Sequence, residues 1–173
     1  MGFSVTIASS IVLIGIIAAF VTVSTTLFYC FRELNKATSD YLEQEQERLD
    51  VRLDLEVNSV NATSCNVTVK NLGSQTIFLT SQNGFQWNSM IISYDANSSW
   101  HSYLIENYEI LEVKVSNTTT TFNATTHSFI NPGEEAQFSI SVPQGASDIP
   151  SNGVVNVVFV TQYGISAKKE AVR

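Results

Sequence analysis

Hydrophobic and polar residues are distributed very unevenly along this chain. The run from Gly2 to Phe31 contains no charged side chain, and everything after it is polar and acidic. As a helix the run would extend about 45 Å, which is longer than the roughly 30 Å core of a bilayer. Backbone N–H and C=O groups must be hydrogen-bonded within lipid, so a helix is the expected form. The pattern predicts a transmembrane helix over residues 1–31.

A cleaved signal peptide is the alternative for this segment. It is disfavoured because no Lys or Arg precedes the apolar run, which is also longer than the core of a signal peptide. Arg32 and Lys36 follow the run, and by the positive-inside rule they favour a cytoplasmic C-terminus. Acidic residues outnumber basic ones in that region, however, and glycosylation sequons follow it. We therefore expect the C-terminal part outside the cytoplasm.

Residues 32–50 form a second segment with a different composition. It has no Gly or Pro and is dominated by Glu, Gln, Leu, Lys and Arg, which are good helix formers. The pattern predicts that the helix continues as a stalk and ends near Asp50. A thin apolar stripe runs through Leu34, Tyr41, Leu42, Leu49 and Leu53. Two interpretations of this stripe remain open, a solvated helix or a helix that pairs with a second helix.

From Val51 the apolar period changes from helical to two, which is typical of half-buried strands. Val51, Leu53, Leu55 and Val57 alternate with polar residues. Six further strands are predicted over residues 65–70, 76–80, 87–94, 109–115, 136–142 and 154–162. About seven short strands separated by turn residues predict an all-β antiparallel sandwich over residues 51–173. Residues 101–108 could be strand or loop, and a last strand could begin near Ile165.

Four aromatic residues are predicted to lie in the core of this domain, because polar residues alternate with apolar ones in the sequence around them. They are Phe78, Trp87, Phe138 and Phe159. Two cysteines are present, Cys30 at the predicted membrane edge and Cys65 on a predicted strand. The stalk separates them, so we expect free thiols rather than an internal disulfide. A Cys30–Cys30 bridge between two copies stays open.

The net charge of −7 disfavours a nucleic-acid partner, since phosphates require basic clusters. Five Asn-x-Ser/Thr sequons are candidates for N-glycosylation, which would place them on the surface. They are Asn61, Asn66, Asn97, Asn117 and Asn123. Asn66 lies within a predicted strand, so it must point to solvent to be modified.

Residues that could carry catalysis are sparse. His101 and His127 have no metal-ligand spacing to Cys, Asp or Glu. The chain contains no nucleophile elbow, phosphate-binding loop or zinc-protease motif. The sequence therefore predicts no enzyme, and no catalytic, metal or cofactor residue.

The order of these parts resembles the archaeal FlaF/ArlF family of archaellum accessory proteins. The resemblance rests on the start MGFSV, the long uncharged helix, the acidic stalk with RLD, NVTVKNLGSQTI, NPGEEAQFSI and the ending VVNVVFVTQYGISAKKEA. It covers nearly the whole chain. The sister FlaG/ArlG family has a similar plan and is the near alternative. No catalytic motif exists to carry over.

What the resemblance implies is a single-pass membrane protein with an immunoglobulin-like sandwich at the cell surface. Such proteins are expected to bind the surface-layer protein and to hold the archaellum motor stationary against that lattice. The implied partners are surface-layer protein, a FlaG-like protein, membrane lipid and further copies of the chain, as a homodimer or larger assembly.

Aromatic residues cluster on two stretches of the domain, and we expect the protein-interaction surface there, although a core role is the competing interpretation. The residues are Phe85, Trp87, Tyr94, Trp100, Tyr103 and Tyr108. Two other functions fit the same plan. A pilin- or archaellin-like filament subunit also joins an apolar helix to a β domain, but usually carries a basic leader, and Met1 favours an unprocessed chain. A surface adhesin is the other.

Overall fold

The computed structural model of the protein describes residues 2–82, 85–105 and 108–173, with only the backbone described for residues 2–5, 82 and 85. The chain divides into two compact units, Met1–Glu45 and Gln46–Arg173. The described residues of the first unit are helical, and the second unit contains the β domain.

Helix α1 (Gly2–Leu49) confirms the predicted apolar N-terminal helix and ends beside the predicted Asp50. Its most apolar window has a mean hydropathy of 2.5, and its length and composition suit a membrane span. Thr22 donates its hydroxyl hydrogen to the carbonyl of Ala18 (2.8 Å), and Thr26 does the same to Thr22 (2.9 Å). Because these hydroxyls are hydrogen-bonded within the helix, they add little cost to its entry into lipid.

The rest of the described chain consists of strands joined by turns and loops. They are β1 (Leu53–Val60), β2 (Ser64–Asn71), β3 (Ile77–Phe78), β4 (Ser81–Gln82), β5 (Phe85–Gln86), β6 (Ser89–Ala96), β7 (Ser99–Ile105), β8 (Tyr108–Val115), β9 (Thr121–Phe122), β10 (Phe129–Ile130), β11 (Glu134–Ser141), β12 (Val154–Val160) and β13 (Ser166–Val172).

Two antiparallel sheets carry the domain. Sheet one has the order β1-β2-β11-β8-β9 and sheet two the order β13-β12-β6-β7, while β10-β3 and β4-β5 are short separate pairs. A bulge interrupts the β11–β8 register between Gln137 and Phe138, where Leu111 is the extra residue of β8. Strands β1 and β13 contact each other, so they lie along the same side of the sandwich.

The core lies between the two sheets. In β12 every second residue is buried, and Val155, Val157 and Phe159 are fully inaccessible. Phe138 of sheet one meets Phe159 of sheet two with ring centroids 5.7 Å apart. The inward residues of both sheets thus form one continuous apolar core, as the period-two pattern predicts. The predicted antiparallel sandwich is confirmed.

The β6–β7 hairpin shows how the chain reverses within sheet two. Ala96 pairs with Ser99, so only Asn97 and Ser98 form the turn. Both have positive φ, 54° and 61°. Two consecutive positive φ values define a type I′ turn, whose twist matches that of the flanking strands.

Most predicted strands are confirmed, and the differences are local. The stretch 76–80 contains only the two-residue strand β3. Of the ambiguous stretch 101–108, residues 101–105 belong to β7 and Tyr108 begins β8, while residues 106 and 107 lie outside the described part of the chain. The last strand exists as β13 (Ser166–Val172). Edge strands carry mixed or uncharged polar residues on both faces, so their period is weak in the sequence.

Two of the four aromatic core predictions are confirmed and two are wrong. Phe138 and Phe159 are fully buried, whereas Phe78 is 40% and Trp87 45% exposed. Trp87 precedes β6 in a bend, and Phe78 occupies the outward position of the short β3. Neither residue belongs to a long strand with alternating burial, so the polar residues next to it in the sequence do not indicate whether its side chain is buried. The two rings instead pack edge to face, 6.1 Å apart.

Candidate interaction surface and modification sites

Two of the aromatic residues predicted to contact a partner belong to the core, and for them that prediction is wrong. Tyr94 is fully buried and donates its hydroxyl hydrogen to the carbonyl of Ser147 (2.5 Å). Tyr108 is buried against Phe138, with ring centroids 5.4 Å apart. Burial raises the pKa of each phenol to about 12. Both occupy inward positions of their strands, where the alternating pattern directs large side chains into the core.

Trp100 and Tyr103 lie on the same strand but on opposite faces of sheet two. Trp100 pairs with Asp95 on the outer face and is 60% exposed. Tyr103 pairs with Ile92 on the inner face and packs partly buried against the core. The ring of Tyr103 is parallel to that of His101, with centroids 6.1 Å apart. Trp100 is therefore available to a partner, and Tyr103 is available only along the edge of the sheet.

An apolar row that the sequence did not reveal crosses the outer face of sheet two. Leu104 of β7 pairs with Ile91 of β6, which pairs with Val158 of β12. Leu104 is 56% exposed, and the other two are half-buried. Trp100, Ser102 and Leu104 have the i, i+2, i+4 spacing that places residues on one face of a strand. This spacing could have indicated the row if the stretch had been predicted as a strand.

The remaining predicted contact residues lie at short strands. The exposed Trp87 and Phe78 form a small aromatic pair at the surface, and Asn88 donates its side-chain amide to the carbonyl of Phe78 (2.7 Å). The side chain of Phe85 lies outside the part of the chain that is described. Trp87 and Phe78 thus form a surface patch of their own, whereas Trp100 and Leu104 lie on β7.

The long edge strands differ in charge. β13 carries Lys168, Lys169 and Glu170, and β1 carries Asp54 and Glu56. β7 has no charged residue, no Pro and no Gly, and among the described strands it pairs with β6 alone. Charged residues on an edge strand hinder pairing with another chain, and an uncharged apolar edge permits it. β7 is therefore the long edge best suited to strand pairing.

The five sequons occupy different environments. Asn97 and Asn117 are exposed turn residues with positive φ, and Asn61 and Asn123 are also exposed. Asn66 is half-buried in β2, where Ser59 and Ser139 flank it on the neighbouring strands. The four exposed sequons offer accessible amides at turns and strand ends, whereas Asn66 lies in the middle of a sheet.

An open groove lies beside β8, where the short strand β9 leaves most of that edge uncovered. It is lined by Ile110, Leu111, Glu112 and the stretch 121–125. Among the described residues that line it, Glu112 is the one ionisable side chain. The sequon residue Asn123 also borders it.

Several ionisable side chains of the domain form structural contacts with their neighbours. Lys70 donates to Glu56 (2.7 Å), a hydrogen bond that raises the pKa of the lysine. His127 lies 2.9 Å from Glu134, between the rings of Phe122 and Phe129. Burial raises the pKa of the Cys65 thiol to about 11, which keeps it protonated and unreactive. Within the described residues no group of three or more His, Cys, Asp or Glu could hold a metal.

These elements define a class of protein with an apolar N-terminal helix and an antiparallel β-sandwich, and solved structures share that plan. No protein-family model matches the sequence, and no curated protein matches it significantly. The chain is similar to a chain of the archaeal flagellum of Methanospirillum hungatei strain JF1, with 13% identity and a TM-score of 0.64. The match covers 96% of this chain and 92% of that chain, so it includes both helix and sandwich.

Two further similar structures are archaellum stator proteins of Sulfolobus acidocaldarius. The periplasmic stator protein FlaG is 14% identical with a TM-score of 0.44, covering 70% of this chain and 99% of that chain. The complex of FlaF and FlaG is 14% identical with a TM-score of 0.43, covering 70% and 88%. The likeness to the flagellum chain agrees with the predicted fold of an apolar helix followed by an antiparallel sandwich, and FlaF and FlaG are not distinguished.

Proposed function

We propose that the chain is a non-enzymatic accessory component of the archaellum that anchors the motor to the surface layer. In this role α1 holds the protein in the membrane and the β-sandwich binds surface-layer protein outside it. The supporting observation is the combination of a membrane-length apolar helix with a separate compact sandwich in a chain that resembles FlaF/ArlF throughout. FlaG/ArlG remains the near alternative.

The mechanics of a rotary filament explain why such a protein is needed. Torque on the filament is balanced by an equal torque on its housing. A helix in fluid lipid resists rotation poorly, because lipids flow around it. A protein that is held in the membrane and also binds a rigid lattice transmits that torque to the cell envelope. This role requires strong binding and no chemistry.

The exposed features of the domain suit protein binding. The outer face of sheet two presents Trp100 and Leu104, and Trp is enriched among residues that dominate binding energy. The Phe78–Trp87 pair offers a second patch. We assign surface-layer binding to the outer face of sheet two, and self-association or contact with a FlaG-like partner to the uncharged edge β7.

Two measurements test this role. Deletion of the gene should leave cells with assembled but non-rotating filaments or without motility, and normal swimming would contradict the proposal. The purified full chain should co-sediment with isolated surface-layer sheets. Trp100→Ala should weaken that binding by roughly ten-fold, as expected for a central aromatic contact. Leu72→Ala, an exposed apolar residue outside both patches, is the matched control and should bind normally.

A filament subunit is the second candidate function. One observation favours it, the whole-chain likeness to a chain of the archaeal flagellum, at a TM-score of 0.64. In that role α1 would pack with other helices in a filament core instead of remaining in lipid. Purified intact filaments decide between the two roles. Filaments composed mainly of this chain would favour the subunit, and their absence would favour the accessory protein.

A further inference from the structure

β7 is an edge strand without the protection that the other long edges carry. Its seven residues, Ser99–Ile105, include no charge, and Trp100 and Leu104 are exposed on its outer face. Its free edge presents backbone N–H and C=O groups that β6 does not use. Such an edge is a template for a further strand of compatible side chains.

The sequence of β7 is complementary to itself when two copies run antiparallel about Ser102. In that register Trp100 of one copy lies opposite Leu104 of the other, and Ser102 lies opposite Ser102. On the other face His101 lies opposite Tyr103. Apolar residues therefore meet apolar residues on the outer face, and aromatic rings meet on the inner face. No like charges are opposed anywhere in the register.

We propose that two copies of the protein pair through β7, antiparallel and centred on Ser102, to join their second sheets into one continuous sheet. The arrangement has two-fold symmetry, as is usual for homodimers. Two copies anchored in one membrane meet at a raised effective concentration, which lets a single strand pair form a stable contact. The inference rests on the self-association that the proposed function includes, and it specifies the strand and register.

A disulfide across the symmetry axis tests the register. In a Cys30→Ser background Ser102→Cys would place two thiols on directly opposed residues, about 4.5–5.5 Å apart at Cα. This spacing suits a disulfide. Oxidation of the full chain in membranes should then yield at least about ten-fold more covalent dimer than Lys168→Cys, the control on the charged β13 edge. Cys65 is buried and does not contribute. Equal cross-linking at both positions would overturn the proposal.

A charge exchange at the same position provides a second test. Ser102→Lys would oppose two ammonium groups and should weaken dimerisation at least roughly five-fold. Ser102→Glu would oppose two carboxylates and should do the same. When the Ser102→Lys chain and the Ser102→Glu chain carry different tags, they should co-purify with each other in preference to either variant with itself. Unchanged dimerisation of Ser102→Lys, or no preference for mixed pairs, would overturn the proposal.

Binding to surface-layer sheets separates this inference from the proposed function. Both measurements are made on the wild-type chain, because Ser102 lies on the outer face of sheet two, to which surface-layer binding is assigned. If binding persists but no β7 pair forms in the wild type, the self-pairing is wrong and anchoring survives. If the β7 pair forms but the wild type does not bind the sheets, anchoring is wrong and the self-pairing survives.

Discussion

At the scale of single residues, buried polar side chains hold the loops of the sandwich. Asn71 is fully buried, and its amide donates to the carbonyls of Gln75 (2.7 Å) and Ile130 (2.9 Å). Its side-chain oxygen accepts from the backbone N–H of Gly73 (3.1 Å). One side chain therefore satisfies three backbone groups, two in the loop after β2 and one at the end of β10.

Replacing Asn71 with Ala should destabilise the domain by more than about 2 kcal/mol, because buried backbone groups would lose their partners. The matched control is Asn58→Ala, which removes one hydrogen bond of an exposed side chain to Thr68 and should cost less than about 1 kcal/mol. Urea unfolding of the chain in detergent, followed by tryptophan fluorescence, measures both. Similar midpoints for the two variants would contradict the role assigned to Asn71.

The buried phenol of Tyr108 should make the domain less stable at alkaline pH. Burial raises its pKa in the folded domain to about 12, above the ordinary value of 10.0. A raised folded pKa stabilises the protein below the unfolded value, and that contribution is lost as the pH rises towards the folded value. The free energy of unfolding should therefore fall between pH 10 and pH 12.

Tyr108→Phe isolates this effect from the other groups that titrate at high pH. The variant keeps the ring against Phe138 and loses only a long hydroxyl contact to Asn88 (3.4 Å), so near neutral pH it should cost about 1 kcal/mol or less. Its alkaline decline should be smaller than that of the wild type. Parallel declines in urea midpoints through the alkaline range would show that Tyr108 does not contribute.

These residues also show what sequence patterns convey. The stretch around Asn71 and Gly73 predicts a turn, and a turn is found, but burial of the Asn71 amide depends on Ile130, far away in the chain. Phe138 and Phe159 were predictable because each lies on a long alternating strand. Trp87 and Phe78 were not, because their surroundings are set by which short strands pair, and local periodicity does not record that pairing.

At the scale of elements, each strand decides what its side chains can reach. Asn66 carries a sequon but lies within β2, an interior strand of sheet one that pairs with β1 and β11. Asn117 carries a sequon in the turn after β8 and is exposed. A large sugar fits on an exposed turn, and in the middle of a sheet it must displace neighbouring side chains.

We therefore expect glycan on Asn117 and none on Asn66 when the protein is produced in an archaeal host that glycosylates its surface proteins. Asn117→Gln should remove one glycan mass from the intact protein, and Asn66→Gln should leave the mass of attached glycan unchanged. Intact-mass spectrometry of the two variants measures this. A glycopeptide carrying glycan on Asn66 would contradict this expectation.

Elements also explain why β7 was harder to predict than β12. Val154–Val160 is a nearly continuous run of β-branched and aromatic residues, the types that are enriched in strands. Ser99–Ile105 mixes serine, histidine and aromatic residues, because an edge strand has fewer neighbours to satisfy. The apolar row of Leu104, Ile91 and Val158 appears only when three strands that are distant in sequence are placed side by side.

At the scale of the whole molecule, function depends on which side of the membrane the sandwich occupies. Both proposed roles require it outside, since surface-layer protein and the archaellum filament are extracellular. Helix α1 fixes only that the chain can cross a membrane. Arg32 and Lys36 favour a sandwich in the cytoplasm, by the positive-inside rule. The exposed sequons can be glycosylated only if the sandwich lies outside.

A cysteine at Gln144, an exposed residue between β11 and β12, reports that orientation. In a Cys30→Ser background the remaining Cys65 is buried, and its raised pKa keeps it unreactive. A membrane-impermeant maleimide should then label Gln144→Cys in intact cells as completely as in lysed cells. The parent variant without the new cysteine is the control and should remain unlabelled in both. Labelling only after lysis would place the sandwich in the cytosol, where it could neither bind a surface lattice nor belong to an external filament, and both proposed roles would fail together.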